Sequence, residues 1–244
     1  MQPSTPTSPV RQFISEVQES LLHLVFPHVC EGCGSDVLDK NSELCLKCFS
    51  SLPATNFHMY PNNPIEKMFW GRLPLANATA QYYFTKESLM QHLMHQVKYR
   101  GNKELGFYLG RLMGRALASA NRFSDIDAIV PLPLFRLKEK RRGFNQATIL
   151  CEGIAEVLDK PVLKSAVMRN AFTDIQTKKN RIQRWQNMEG RFQLLDAATI
   201  EGKHVLLVDD VVTTGATLEA CGTELLKASN TKLSVATLCF SSGN

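Results

Sequence analysis

The sequence lacks features that would assign it to several other classes of protein. No stretch approaches eighteen consecutive apolar residues, so no membrane-spanning helix is expected. The run Met1–Pro6 has no basic segment followed by an apolar one, so no secretory signal is visible and the cytoplasm is the expected compartment. No GxxxxGK[ST] motif occurs, which excludes a nucleoside-triphosphate P-loop. There is also no internal repeat.

What the chain does contain is the composition of a folded protein. Its 244 residues are 44% hydrophobic and 21% charged, which suits one mid-sized domain with a small appendage. This excludes a disordered chain, a coiled coil and a collagen. The formal net charge of +5 favours anionic partners without identifying them.

Four of the seven cysteines form two Cys-x-x-Cys pairs, which are Cys30, Cys33, Cys45 and Cys48. Two such turns can supply four sulfur ligands in a tetrahedron, which suits Zn²⁺, and four thiolates leave no open position for catalysis. The alternative is a pair of redox motifs, but those usually open a helix in a βαβ unit, and no such pattern surrounds these residues. We therefore predict a structural zinc site, with His28 an ordinary surface histidine.

The order of apolar segments predicts three regions. Residues 1–9 read as a frayed tail, residues 10–58 as an amphipathic helix (over 10–24) followed by the four-cysteine segment, and residues 59–244 as an α/β domain. Within the last region, residues 59–78 read as an irregular connection. Beyond them, strand and helix patterns alternate, which predicts a parallel sheet covered by helices on both faces. The predicted strands are 79–85, 127–133, 162–168, 205–208 and 233–240, and the predicted helices are 87–97, 104–120, 145–158 and 216–228.

The most informative segment is 205–217, which reads Val-Leu-Leu-Val-Asp-Asp-Val-Val-Thr-Thr-Gly-Ala-Thr. An apolar strand ends at two aspartates, a threonine-rich turn follows, and a helix begins near Ala216. Backbone N–H groups at such a turn and helix N-terminus form a cradle for an anion such as a phosphate monoester. The two carboxylates would repel that phosphate, so they suit hydroxyl groups or a Mg²⁺ ion on an attached sugar.

This run resembles the phosphoribosyl pyrophosphate (PRPP) signature of type I phosphoribosyltransferases at all thirteen positions. The resemblance implies the type I phosphoribosyltransferase fold over residues 59–244, and PRPP bound with Mg²⁺. It implies that Asp209 and Asp210 hold the ribose 2′- and 3′-hydroxyls as the catalytic pair. It implies that the 5′-phosphate lies against Thr213, Thr214, Gly215, Ala216 and Thr217. The alternative is a strand–turn–helix with a capping threonine and no ligand.

Positive charge is concentrated between residues 136 and 191, where thirteen basic residues face six acidic ones, a net of +7. The two richest stretches, 136–142 and 170–191, read as loops at the sheet edge that carries the phosphate cradle. Residues 169–190 are polar without an apolar period, which is typical of a lid that closes over a reaction. Pyrophosphate capture, polynucleotide capture and a plain solvated face all remain open. For a polynucleotide, Trp185 is the better stacking candidate, whereas Phe144 is expected in the core.

Three further stretches narrow the resemblance: Val130–Pro133 followed by Arg142–Gln146, then Gln176-Thr177 with Arg184, Asn187 and Phe192, then Val97–Gly101. Together with the four cysteines, the chain resembles the ComF family of competence-associated, phosphoribosyltransferase-like proteins. The pyrophosphate-binding or lid candidates are Arg136, Arg142, Asn145, Gln146, Gln176, Arg184 and Asn187.

Three functions are compatible with these patterns. The first is Mg²⁺-dependent phosphoribosyl transfer from PRPP to an unidentified acceptor. The second, implied by the ComF resemblance, is an accessory role with single-stranded DNA in natural transformation, alongside a competence helicase and recombination proteins. The third is a PRPP sensor that binds the ligand and transfers nothing.

Overall fold

The computed structural model describes residues 28–170 and 192–241. The predicted tail 1–9, the predicted helix 10–24 and the lid candidates Gln176, Arg184 and Asn187 lie outside the described residues, as does Trp185. The chain divides into two compact units, one up to Ser51 and one from Leu52 onwards.

In the first unit, the described residues form two tight turns and one short helix. The chain turns at residues 31–33 within the first cysteine pair, and helix α1 (Leu46–Ser50), which contains Cys48, begins directly after Cys45. The amide of Gly34 donates to the carbonyl of Cys30, and the amide of Glu31 donates to that of Glu43, which ties the first turn to the second.

The second unit is built on a four-stranded parallel sheet with the order β1-β6-β5-β2. Two further short strands, β3 and β4, pair antiparallel with each other outside this sheet. The strands are β1 (Asn77–Tyr83), β2 (Ala128–Pro131), β3 (Val167–Arg169), β4 (Phe192–Leu194), β5 (His204–Val212) and β6 (Lys232–Phe240).

Two strand predictions were wrong in detail. The strand expected to end at the aspartates continues through them to Val212, because β6 still pairs beside it there. The strand expected over 162–168 supplies one isolated bridge from Val162 to Ile129 of the parallel sheet. A turn at residues 164–165 then redirects the chain, so β3 forms a separate ribbon with β4.

In the described part of the second unit, six α-helices flank the strands: α2 (Pro64–Phe69), α3 (Leu89–His95), α4 (Lys103–Ala118), α5 (Arg136–Arg142), α6 (Gln146–Leu158) and α7 (Ala216–Leu225). A π-helical turn, Gln96–Arg100, follows α3 directly. None of the helices in the described ranges combines the length and apolar character needed to cross a membrane.

Two of these helices replace segments that were predicted to be an irregular connection and a loop. The side chain of Asn63 accepts hydrogen bonds from the amides of Ile65 and Glu66, and Pro64 occupies the first turn, so α2 starts inside the supposed connection. The basic stretch 136–142 is α5 rather than a loop. It buries no residue, so its cations face solvent.

Helices cover both faces of the parallel sheet. On one face, Val205 and Leu207 of β5 share a buried cluster with Leu218 of α7 and Phe69 of α2. On the other, α6 packs against β2 and β5 and pairs closely with α4. A Cβ atom at Gly153 of α6 would collide with the α4 backbone, so this close crossing requires glycine there.

Candidate functional site

The two aspartates of the PRPP-like run lie near the carboxyl end of β5. Asp209 pairs in register with Thr237 of β6, and both carboxylates are partly buried. Because successive side chains of a strand point to opposite faces, Asp209 and Asp210 project to different sides of the sheet edge. Together they place acceptor oxygens on both sides of the point where ligands bind in open α/β sheets.

The electrostatics of the two carboxylates differ. Burial and the neighbouring charge of Asp210 raise the pKa of Asp209 to about 8, although the amide of Asp210 donates to its Oδ1 at 2.8 Å. Lys98 and Arg169 partly offset this rise in pKa. Asp210 instead forms an ion pair with Lys98, whose Nζ lies 2.8 Å from Oδ2. The two aspartates can therefore bind a further positive charge or accept hydrogen bonds from hydroxyl groups.

Lys98 is a site residue that sequence reasoning missed. It lies in the π-helical turn after α3, 112 residues before Asp210, and its side chain is only 20% exposed. Its signal was the run Val97–Gly101, which contributed to the family resemblance without a role. Single π-helical turns occur often at functional sites, because they push one side chain out of the regular helical register.

The turn that follows β5 has the geometry of an anion cradle. Thr213 and Thr214 are exposed, Gly215 has a φ of +74°, and α7 begins at Ala216. The first amides of a helix have no intrahelical acceptor. In α7, the amide of Ala216 donates to Oγ1 of Thr214 in a long bond of 3.5 Å within the same turn. The five predicted cradle residues therefore lie next to the acidic pair, three in the turn and two in the first turn of α7.

Only glycine suits position 215 of this turn, for two reasons. Its positive φ is a conformation that other residues adopt only at a cost. In addition, a Cβ atom there would lie 2.8 Å from two ring carbons of Phe69 and 2.9 Å from Sδ of Met68. The α2 helix thus packs directly beneath the cradle.

The basic helix α5 leads into a second group of predicted residues. Arg142 donates to Oε1 of Gln146 at 2.6 Å, and its guanidinium group lies over the ring of Tyr99. The side chain of Asn145 caps α6 by accepting from the amide of Ala147, and donates to the carbonyl of Leu132 at 3.0 Å. Gln146 is buried. These three residues therefore organise the loop after β2.

A cleft of about 470 Å³ opens at the carboxyl end of β2, next to β5 in the sheet. Its polar lining includes Arg136, Asn145, Lys164 and Arg169, and the side chain of Phe144 forms part of its wall. Phe144 is only partly buried, so its predicted place in the core was wrong. The aspartates and cradle residues do not line this cleft.

Arg169 is the second missed residue. It lies at the end of β3, lines the cleft, and is close enough to Asp209 to lower the pKa of that carboxyl group. Its guanidinium group also lies over the ring of Phe192 in β4. It thus connects the cleft with the acidic pair, and its signal in the sequence was its place at the start of the predicted lid over residues 169–190.

The four cysteines of the first unit lie together. Their Sγ atoms are all within 4.8 Å of one another, and those of Cys33 and Cys45 are 3.7 Å apart. A Zn–S distance of about 2.3 Å places tetrahedral sulfur ligands about 3.8 Å from each other. The cluster can therefore hold one metal ion such as zinc. Its four members have different environments, since Cys33 alone is exposed.

Backbone amides favour the thiolate form of Cys30, whereas burial and the neighbouring thiols raise the pKa of Cys48. Burial alone raises the pKa of Cys30, but amide donors to its Sγ, including Cys45 N at 3.2 Å and Gly32 N at 3.4 Å, lower it to about 6. Nε2 of His28 lies 2.9 Å from the carbonyl of Ser42, so this partly buried histidine has a structural partner and does not belong to the cluster.

Comparison with known proteins agrees with this architecture. The family model of the phosphoribosyl transferase domain matches residues 145–243. DNA utilization protein YhgH of Escherichia coli O157:H7 is 31% identical over 215 residues, which cover 86% of this chain and 89% of that protein. Competence protein F of Haemophilus influenzae is 29% identical over 201 residues, covering 81% and 83%.

Among solved structures, glutamine PRPP amidotransferase from B. subtilis matches with a TM-score of 0.39 and 18% identity, over 54% of this chain and 25% of that one. The fold assignment rests instead on the parallel sheet, its flanking helices and the domain match. The chain belongs to the ComF family of competence-associated proteins, with a phosphoribosyltransferase fold in its second unit and a four-cysteine cluster in its first.

Proposed function

We propose that this chain binds PRPP together with Mg²⁺ at the carboxyl end of β5, as part of a role in DNA uptake. The observation that carries the proposal is the continuous run of strand, acidic pair, positive-φ glycine turn and helix N-terminus. The amides of the turn and of α7 would donate to the 5′-phosphate, and Thr213 and Thr214 would add hydroxyl donors.

The acidic pair fits the sugar and its metal. Asp209 and Asp210 offer carboxylate oxygens, the ligand type that Mg²⁺ prefers, and a bound cation would favour the ionised form of Asp209, whose pKa burial and Asp210 raise. When bound, Mg²⁺ would neutralise charge on the pyrophosphate group. The ammonium group of Lys98 already occupies one side of Asp210, so it would share that carboxylate with the ligand or be displaced from it.

The cleft beside β2 is our proposed place for the pyrophosphate group. Arg136 and Arg169 face it, and preorganised positive charge stabilises a leaving group that gains negative charge. Asn145 supports the same loop through its bond to Leu132. The lid roles of Gln176, Arg184 and Asn187 stay predictions from the sequence.

Thermal unfolding with and without PRPP and Mg²⁺ tests the binding proposal. At a hundredfold excess over Kd, we expect stabilisation of about 2.7 kcal/mol. Asp209→Asn combined with Asp210→Asn should remove most of this gain, whereas Asp196→Asn, at an exposed turn, should preserve it. A gain that survives the double substitution would place the ligand elsewhere.

Product analysis separates a transferase from a sensor. Radiolabelled PRPP is incubated with the protein, Mg²⁺ and candidate nitrogen acceptors, and the products are resolved. Release of pyrophosphate that depends on one acceptor, and is lost in the Asp209→Asn/Asp210→Asn variant, supports transfer. Binding without release in every mixture supports the sensor.

A second proposed function is single-stranded DNA binding on the surface around α5. The helix presents five Arg and Lys side chains against one Glu, and Tyr99, which is 58% exposed, lies beside Arg142. Cations would contact phosphates while the tyrosine ring stacks on a base. The competence helicase and the recombination proteins are the proposed partners of this surface.

Binding measured against salt tests this second function. If four to six phosphates are neutralised, the slope of log K against log salt should be about −3 to −4, at roughly −0.7 per contact. Lys140→Ala with Arg141→Ala should reduce the slope by about one to two units. The control Lys86→Ala with Lys227→Ala, which removes two exposed cations elsewhere, should preserve it. An identical slope in both double variants would move the DNA site away from α5.

We also propose that the four cysteines hold a structural Zn²⁺. The sulfur spacing and the amide donors to Cys30 support this proposal, since both match a tetrahedral thiolate site. Such a site would organise residues 28–51, where Leu44 is the only buried apolar residue besides three of the cysteines.

A further inference from the structure

Arg72 connects the chain beyond α2 to the phosphate cradle. Its Nη1 atom lies 3.1 Å from the carbonyl oxygen of Thr214 and 3.1 Å from that of Met68. Its Nη2 atom forms an ion pair with Glu219 in the first turn of α7. One guanidinium group thus joins the cradle turn, the start of α7 and a segment 142 residues earlier in sequence.

The bond to Thr214 determines the direction of the next amide. The carbonyl and N–H groups of one trans peptide point in opposite directions, and the described chain has no cis peptide bond. Because the Thr214 carbonyl points towards Arg72, the N–H of Gly215 points away from it. Without the guanidinium group, this peptide could turn its carbonyl oxygen towards an incoming phosphate and repel it.

The ion pair with Glu219 has a second electrostatic effect. A carboxylate in the first turn of a helix is favourable for the helix dipole, but it opposes the binding of an anion at the same terminus. Arg72 neutralises Glu219 while the amides of the turn remain available. The same side chain therefore both orients a donor and removes a repulsion.

We infer that Arg72 is a positioning residue of the phosphate cradle, holding the Thr214–Gly215 peptide with its N–H towards the ligand and neutralising Glu219. This role rests on the proposed function, because it requires a phosphorylated ribose in the cradle. The side chain of Arg72 is 37% exposed, so its replacement leaves no cavity in the core and isolates the electrostatic effect.

Arg122 provides a matched control in the same unit. Its Nη1 donates to the carbonyl of Tyr60 at 2.8 Å and its Nη2 pairs with Glu66, so it too connects a carbonyl to a glutamate. Within the described residues, Arg122 has no hydrogen bond or ion pair with residues 213–217, although its partner Glu66 lies in α2. Arg122→Met should therefore reproduce the loss of one arginine bridge without changing the binding of a phosphorylated ligand.

The experiment is calorimetric titration with ribose 5-phosphate and, separately, with PRPP and Mg²⁺. We expect Arg72→Met to weaken the binding of both ligands about ten- to a hundredfold. This is the loss typical of one hydrogen bond to a charged group, here the bond from the Gly215 N–H to the phosphate. Arg72→Lys should be intermediate, because an ammonium group keeps the charge but cannot bridge both partners. Adding Glu219→Gln to Arg72→Met should recover part of the affinity by removing the repulsion, which a purely structural role would not produce.

Each result decides between the proposals. If the wild-type chain binds neither ligand, the proposed PRPP function fails and the inference fails with it. If the wild type binds and Arg72→Met binds equally well, the inference on Arg72 is overturned while PRPP binding stands. If Arg72→Met and Arg122→Met weaken binding equally, the effect is general destabilisation, and the positioning role is also overturned.

Discussion

Substitution of Gly215 by alanine tests how tightly the cradle is built. Two independent costs add at this position. An L-residue in the left-handed region costs about 1–2 kcal/mol. The new Cβ would lie 2.8 Å from the ring of Phe69, which is 1% exposed and cannot move freely, and such overpacking costs about 1–3 kcal/mol. The expected loss in the free energy of unfolding is therefore about 2–5 kcal/mol.

The measurement is chemical and thermal unfolding, with Gly202→Ala as the matched control. Gly202 has a φ of +69° and no atom within 4 Å of its Cβ position, so it incurs only the backbone cost. For a unit of this size each kcal/mol lowers the melting temperature by about 2–4 °C, which gives roughly 4–20 °C for Gly215→Ala. The control should fall by roughly 2–8 °C.

A double-mutant cycle with Phe69→Leu separates the two costs. The shorter side chain removes the ring carbons that the new Cβ would strike, so the double variant should be about 0.5–3 kcal/mol more stable than the sum of the single losses. Equal losses of stability for Gly215→Ala and Gly202→Ala, or additive losses in the cycle, would refute the argument that Phe69 of α2 packs too tightly against position 215 to accommodate a Cβ atom.

Three other perturbations have defined outcomes. Cys48→Ser should abolish the roughly stoichiometric zinc found by metal analysis, whereas His28→Ala should retain it; zinc-free wild-type protein prepared without chelators would contradict the site. Burial lowers the pKa of His204, which lies beside Asp125, so the folded state favours the neutral ring and the free energy of unfolding should fall as the pH drops below about 6.5. His204→Gln should flatten that decline when stability is measured by urea unfolding at several pH values. Parallel plots of stability against pH for the two proteins would count against this role of His204. Asn145→Ala should lower the free energy of unfolding by about 1–2 kcal/mol through the lost cap of α6, whereas Asn145→Asp, which keeps the cap acceptor, should lower it less. Equal losses would show that the hydrogen bond from the Asn145 side-chain amide to the Leu132 carbonyl matters more than the cap.

The sequence alone predicted the features that depend on neighbours in the chain. The spacing of the cysteine pairs predicts a four-sulfur cluster because a chelating turn involves only a few residues. The run ending in Gly215 predicts strand, turn and helix because an apolar segment, a positive-φ glycine and a helix start are local properties. The alternation of strands and helices likewise predicted a parallel sheet.

Predictions that relied on the absence of a local signal were weaker. The basic stretch Arg136–Arg142 has no apolar face, so its hydrophobic pattern did not indicate a helix, yet it forms α5, as the strong helix propensity of its Arg, Leu, Lys and Glu residues allows. The strand expected over 162–168 was interrupted by a turn whose position depends on the pairing of β3 with the distant β4. In this second segment tertiary context decided the structure, because local strand propensity is small compared with the energy of pairing and packing.

Only the tertiary structure identified the partners of the site. Lys98 meets Asp210 and Arg72 meets Thr214 across more than a hundred residues, and Arg169 approaches Asp209 from a separate ribbon. No spacing in the sequence encodes these contacts, because they follow from the order in which the strands join the sheet. The sequence thus determined which residues can bind a phosphorylated sugar and a metal, whereas the fold decided which charges surround them.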